Sequence, residues 1–365
     1  MSLYAELTTP AVIVDLDIAE RNISAMAERL RRSGVAHRPH IKSHKSAAIA
    51  RRQLAAGAVG ITVAKLSEAE AFADAGIADI LIAYSIVGED KLRRLEALHR
   101  RASLIATADS MPVAKGLSAV GTRAGKPVKV LIEIDGGLHR GGRQPGEDTL
   151  AFARALRELP GIEIAGLMGY YGKIYAQRDE AGFAAAIRGE VAEMSATAEL
   201  LRGEGIPIGI VSTGASPAAI YSHELRGVTE VRAGNYVFFD ASGVGLGIAR
   251  EDDCALRVVV TVVSVPLPGR ATIDAGTKTL TGDRAHGREG FGIVVGRPGI
   301  RVTGLNEEHG FLEFDPEGER IEVGDRLELV PNHSCVLPNL CDRVAGVRGG
   351  QLDAWIRIDA RGCCY

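Results

Sequence analysis

The chain has 365 residues, 46% of them hydrophobic and 24% charged, with a formal net charge of −3. That length exceeds the usual single domain, so one large domain and a smaller one are expected, with the balance of a soluble globular enzyme. The charge excludes an electrostatic footprint for nucleic acid, and no apolar run reaches the length of a membrane span.

The opening residues Met1 to Glu6 lack the basic and apolar segments of a signal peptide. Five cysteines, Cys254, Cys335, Cys341, Cys363 and Cys364, are odd in number and confined to the last third. That is no disulfide framework, and a reducing cytoplasm is the expected compartment.

In chain order, Pro10 to Leu16 reads as a strand and Asp17 to Arg32 as an amphipathic helix. The stretch Arg38-Pro39-His40-Ile41-Lys42-Ser43-His44-Lys45-Ser46 follows. Pro39 and the alternation after it suggest a strand, and Ser46 to Leu54 a helix. Lys42 is therefore expected at the C-terminal end of a strand entering a helix, where α/β proteins keep their chemistry. Gly60 to Ala64 is a strand and Ser67 to Ala75 a helix, with Ser67 and Glu70 as a capping box. Further strands are expected at Asp79–Tyr84, Leu104–Asp109, Val128–Asp135, Ile164–Tyr170, Ile208–Gly214 and Glu230–Tyr236. Helical patterns run from Glu89 to Arg100 and from about Glu180 to Arg202.

Apolar strands alternating with amphipathic helices indicate βα units and a parallel sheet. Eight or so units over about 230 residues favour a closed (β/α)8 TIM-type barrel over an open sheet. From about Val244 the texture changes to β-rich runs such as Leu256–Val265, Gly310–Phe314 and Asp325–Val330, separated by Gly, Pro and Asp turn clusters. The expected division is a barrel over residues 10–243 and a smaller all-β domain over residues 244–365, with residues 1–9 as candidates to pack with the second.

Five features could carry chemistry. A lysine such as Lys42 at a barrel mouth can be a phosphate binder, a surface residue or a Schiff-base nucleophile. Glu133-Ile-Asp135-Gly-Gly-Leu-His139-Arg140 sets two acids, a His and an Arg around glycines; it is either a solvated turn or a place where Arg140 holds an anionic oxygen. Ser212-Thr213-Gly214-Ala215 can offer hydroxyls and backbone N–H groups to a phosphate, or be an ordinary βα turn. Arg232-Ala-Gly234-Asn235-Tyr236 resembles a second such loop, although Tyr236 alone would be core. Lastly, His333-Ser-Cys335 in a strand would put imidazole and thiol on one face, a pair suited to zinc, against the bland alternative of a packed cysteine.

Together these motifs resemble the D-serine dehydratase and D-threonine aldolase family, pyridoxal-phosphate enzymes of the alanine-racemase-like fold, over nearly the whole chain. The resemblance implies a barrel plus a β domain, with Lys42 as the Schiff-base lysine and Lys45 in support. It implies Arg140 near the cofactor ring oxygen, and Thr213, Gly214, Ala215, Gly234, Asn235 and Tyr236 in the phosphate-binding loops. His333 and Cys335 match the metal pair of the dehydratase branch, where compared aldolases have His-x-Asp; zinc is the implied metal, with manganese or magnesium as alternatives. Many relatives carry a Thr-His-Ala-Gly…Tyr pattern where this chain has Leu167-Met-Gly-Tyr170-Tyr-Gly-Lys-Ile-Tyr175. Tyr175 fits the final Tyr as a catalytic residue, whereas Tyr170 stands in place of the His. The implied activity is a metal-dependent lyase on β-hydroxy D-amino acids, chiefly dehydration to a 2-keto acid and ammonia. Retro-aldol cleavage to glycine and an aldehyde is the alternative, and racemisation a lesser one. The resemblance also implies a homodimer acting on a small D-amino acid; the cytoplasmic location and the expectation of neither nucleic acid nor membrane as partner rest on the cysteines, charge and hydropathy above.

Overall fold

The computed structural model describes residues 4–365; the first three residues of the expected 1–9 leader lie outside the described residues. Two compact units divide the chain. One comprises Ala25–Lys42, Ile49–Gly234 and Cys363–Tyr365; the other comprises the chain up to Ser24, Ser43–Ala48 and Asn235–Gly362.

Two elements open the chain, β1 (Ala11–Asp15) and α1 (Leu16–Ser33). The first unit then holds eight parallel strands: β2 (Ala36–His37), β3 (Ile61–Val63), β4 (Asp79–Ile82), β5 (Ser103–Ala108), β6 (Val128–Asp135), β7 (Ile162–Tyr170), β8 (Ile210–Thr213) and β9 (Glu230–Val231). Their order is β2-β9-β8-β7-β6-β5-β4-β3, and a parallel bridge between His40 and Thr62 joins the two ends. Strands covered on both faces read as continuous apolar runs, as Val130, Leu131 and Ile132 do here, all three sealed from solvent.

Helices return the chain between strands: α2 (Ala47–Ala55), α3 (Leu66–Asp74), α4 (Glu89–His99), α5 (Met111–Ala124), α6 (Glu147–Arg157), α7 (Glu180–Gly203) and the short α8 (Ser216–Ile220). Packing is close enough that α5 and the start of β7 need glycine. A Cβ on Gly121 would lie 2.1 Å from the Gly161 carbonyl oxygen, and one on Gly161 would lie 1.9 Å from that of Ser118. The expected capping box falls elsewhere. Helix α3 starts at Leu66, and the Glu68 carboxylate accepts from the backbone N–H of Ala64 and Lys65 at 2.7 and 3.1 Å. Glu70, one turn along the surface, pairs with Arg94 instead.

The second unit is built on a nine-stranded sheet, with β10 (Leu256–Leu267), β11 (Arg270–Ile273), β12 (Ile293–Val294), β13 (Arg301–Leu305), β14 (Gly310–Glu313), β15 (Arg326–Val330), β16 (Arg343–Arg348) and β17 (Gln351–Arg357). Strand β1 belongs here. It pairs antiparallel with β10, Ile13 opposite Arg257, and parallel with β16, Ile13 opposite Ala345. It therefore does not open the barrel, whose eight strands begin at Ala36. Tyr4 and Leu7 pack with Ile13, Val259, Ala345 and Val347. No helix among the described residues is long and apolar enough to cross a membrane.

Candidate functional site

Lys42 follows β2 rather than ending a long strand. The chain leaves β2 at His37, bridges once at His40 and makes a single 3-10 turn at Ile41–Ser43, which leaves the Lys42 side chain exposed. Just before it, Arg38 is buried. Its guanidinium donates to Glu230 at 2.8 Å and pairs with Asp79. Gly60 allows this, because a Cβ there would strike the guanidinium at 2.1 Å.

The polar network continues around the barrel. Ser212 donates to Glu230 at 2.7 Å, and Arg232 donates to Ser212 at 2.7 Å and to the Gly169 carbonyl at 2.6 Å. Burial pushes the Arg232 guanidinium below its ordinary range, against the pull of Glu230, Glu190 and Glu133. Thr213, at the end of β8, donates its hydroxyl to Glu190 of α7, a carboxylate only 3% exposed that also accepts the Gly214 N–H. Gly214 has φ +86°, a conformation reserved for glycine, and its Cβ would meet Val231 at 2.7 Å. Ala215 then caps α8 in extended conformation. Gly234 is buried between β9 and the turn at Asn235–Val237.

At the ends of β6 and β7, Arg140 lies over the Tyr170 ring, 4.9 Å from its centroid, and Tyr170 hydrogen-bonds Tyr175. Burial lifts the Tyr170 phenol, while Arg140 and the Tyr175 bond oppose the shift. Glu133 is lifted too, first by burial and then by Asp109. Asp135 instead holds the turn after β6, accepting the N–H groups of Gly137 and His139 at 3.0 Å and the His139 ring at 2.7 Å.

The remaining expected residues lie in the second unit. His333 and Cys335 sit not in a strand but in the turn after β15, so a bend rather than the two-residue period brings them together. They hydrogen-bond each other. That bond, more than Asp240 or Asp283, holds His333 at about 10 against burial. The His333 Nδ1 is 2.8 Å from Asp283, and the Cys335 thiol is 3.2 Å from the Ser43 hydroxyl. Asn235 donates to Asp240 at 2.8 Å and to Ser334 at 2.9 Å, with Cys335 at 3.5 Å. Lys45 is buried with φ +49° and donates to Asn339 at 2.8 Å. The Tyr236 side chain is enclosed in the core.

The sequence alone did not single out Glu190, Asp240 or Asp283. Glu190 had a signal: it sits on the apolar stripe Phe183, Ile187, Val191, Met194, where a charge must have a buried partner. The two aspartates carried none.

The alanine racemase N-terminal domain profile matches residues 14–242, and the serine dehydratase domain profile matches residues 255–347. The chain is 39% identical to the D-threo-3-hydroxyaspartate dehydratase of Delftia sp. (strain HT23), covering 90% of this chain and 91% of that one. It is 36% identical to the D-threonine aldolase of Arthrobacter sp., covering 98% and 94%. The crystal structure of D-threonine aldolase from Filomicrobium marinum superposes with a TM-score of 0.91 at 33% identity, over 99% of this chain and 98% of that one. Two mutants of a D-threo-3-hydroxyaspartate dehydratase also superpose. A cysteine-to-alanine form described as metal-free has a TM-score of 0.90 at 36% identity, covering 98% and 99%. A histidine-to-alanine form has 0.88 at 34%, covering 98% and 96%.

Proposed function

Because this chain belongs to the alanine-racemase-like family of pyridoxal-phosphate lyases that act on β-hydroxy D-amino acids, we propose that it dehydrates a D-3-hydroxy amino acid to a 2-keto acid and ammonia, using a divalent metal held by His333 and Cys335. The observation that carries this reading is the meeting of Cys335 with His333 on one side and with Ser43, the residue after Lys42, on the other.

The residues present fit the cofactor by their donor chemistry. Lys42 offers an exposed amine, Arg140 a guanidinium braced on Tyr170, and the ends of β8 and β9 a hydroxyl and glycine-rich backbone. In this assignment Lys42 would hold the cofactor covalently, and Arg140 would supply a cation for its ring oxygen. Thr213, Gly214, Ala215, Gly234, Asn235 and Tyr236 serve the phosphate. Bound pyridoxal phosphate supplies the electron sink for a negative charge at Cα.

His333 and Cys335 fit a metal in the same sense. An imidazole and a thiol that share a hydrogen bond both become donors once a cation replaces the shared proton, and the pair suits zinc better than manganese or magnesium. Among the described residues no three His, Cys, Asp or Glu side chains converge. We assign His333 and Cys335 as the two ligands the protein would supply. The spacing supports this: the cysteine and the histidine substituted in the dehydratase mutants lie two positions apart in that chain, as Cys335 and His333 do here.

Chemically, the Lys42 amine, once released from the cofactor, would take the Cα proton, and a metal held by His333 and Cys335 would supply the Lewis acidity that lets a β-hydroxyl leave. Tyr175, hydrogen-bonded to Tyr170, would orient the substrate. The alternative is retro-aldol cleavage, in which the Cα–Cβ bond breaks and a metal on the same two residues would supply Lewis acidity for loss of the β-hydroxyl proton. The aldolase relatives favour it. A reducing compartment fits the five free cysteines, and a homodimer is the assembly the family resemblance implies.

The test is a product assay with D-3-hydroxyaspartate, D-threonine and D-serine, against the L-isomers. Keto acid plus ammonia, abolished by chelator, supports dehydration. Glycine plus aldehyde replaces it with the aldolase reading. Lys42→Ala should lower turnover by about 10²- to 10⁴-fold, and retention of full activity would sink both.

A further inference from the structure

The Thr213 hydroxyl is committed in a way that its proposed role does not explain. A hydroxyl has one proton, and Thr213 gives it to the Glu190 carboxylate. The Gly214 N–H goes to the same carboxylate. While Glu190 is ionised, Thr213 can show an incoming phosphate only lone pairs, with a buried negative charge behind them. If Glu190 carries a proton, the bond reverses: the carboxyl donates to Thr213 Oγ1, and the Thr213 proton leaves the carboxylate. It can then turn to an anion in preference to its other, longer acceptor, the Gly169 carbonyl at 3.3 Å.

We propose that Glu190 is a positioning residue that takes up one proton when the phosphate of the cofactor binds, relaying it as a hydrogen bond through Thr213. The inference rests on the assignment of Thr213 to the phosphate loop. The balance is simple: one proton moves from solvent to a Glu190 oxygen, no heavy-atom bond forms, and the Thr213 hydroxyl keeps its own proton while changing acceptor.

Two further observations support the relay. Glu190 lines a cavity of about 520 Å³ beside α7, walled by Gly182, Ala185, Ala186 and Gly189, which gives protons a route to a carboxylate otherwise sealed. Burial also lifts Glu190 to about 7, so it can change state near neutrality. The charged and titratable groups around it are Arg232 after β9, which favours ionisation, and Glu193 on α7 itself, which opposes it. Tyr170 and Tyr171 face it from the end of β7. Tyr171 donates to Glu193 at 2.6 Å, and Asp135, His139 and Lys173 share the cavity wall.

Calorimetric titration of the cofactor-free full chain with pyridoxal phosphate, in buffers of different ionisation enthalpy, counts the protons taken up. Pyridoxal, which lacks the phosphate, is the control. At pH 8 the wild type should take up more protons with pyridoxal phosphate than with pyridoxal, approaching one. Its affinity for pyridoxal phosphate should fall about tenfold per pH unit above neutrality. Glu190→Gln, whose amide donates to Thr213 permanently, should bind tightly, without the extra uptake and with a flatter pH profile. Thr213→Val keeps the carboxylate but breaks the relay, and should lose the extra uptake and bind pyridoxal phosphate more weakly than the wild type does. Equal uptake for both ligands in the wild type, or an unchanged profile in Glu190→Gln, overturns the relay alone. Equal affinity for both ligands in the wild type overturns the phosphate assignment as well.

Discussion

The barrel strands carry a polar network beside an apolar cluster of Leu81, Ile105, Leu131 and Met168, whereas the nine-stranded sheet packs apolar side chains around its central strands. Around the barrel run Asp79, Arg38, Glu230, Ser212 and Arg232, each bonded to the next. Around β1, β10 and β16 lie Ile13, Val259, Ala345 and Val347. The difference follows from ladder length. Strands β2 and β9 have two residues each and pair only at Ala36–Glu230 and His37–Val231. Arg38 extends that short ladder with a side chain. A buried ion pair of this kind adds geometry more than stability, because desolvation offsets its Coulomb energy. The apolar sheet, with a 12-residue β10, supplies stability by area instead. Precision of placement is kept where donors must be displayed, and bulk packing where they need not be.

The largest expected break in this contrast is Arg38→Ala. It would strip Glu230 of its directly bonded cation, leaving only Arg232 through Ser212, and cost about 3–5 kcal/mol in urea unfolding. A loss below about 1 kcal/mol would mean the network is ornamental. Next comes Glu190, where the sign of the pH effect is unusual for a carboxylate. Its folded-state value of about 7 lies above the ordinary 4.5. The stability it lends is therefore fully present below pH 4.5 and is lost as pH rises through 7, on the order of 3 kcal/mol. Unfolding free energy of the cofactor-free chain, measured from pH 4.5 to 8, should show this slope, and Glu190→Gln should remove it.

In the other unit, Asp283→Ala frees the His333 ring, and metal affinity by equilibrium dialysis should drop about 10–100-fold. Unchanged affinity would place the metal away from His333. The smallest effect expected is Ile13→Val, at about 0.5–1.5 kcal/mol. A much larger value would show that the apolar sheet is as exacting as the barrel network.

The βα rhythm of the barrel was legible because each buried strand is a local apolar run and each helix a local stripe. Membership of a sheet is not local. Ala11–Asp15 looks like any barrel strand, and only its pairing with residues some 245 and 330 positions away assigns it elsewhere. Site motifs after strands were legible as chemistry but not as geometry. His-x-Cys suggested a strand face, whereas a turn joins the two side chains. Partners such as Asp240 and Asp283 were invisible, since nothing near them in sequence distinguishes them from surface acids.

The two compact units are interleaved, and the chain passes from one to the other between Lys42 and Ser43 and again between Gly234 and Asn235. No single stretch of the gene encodes either unit. The domain profiles part the sequence between residues 242 and 255, but a recombination event at that seam would separate Asn235 and Ser43 from Ser334 and Cys335, to which they are bonded. A crossover at that seam would therefore keep these bonds only if the incoming half carried the same donors and acceptors at those positions.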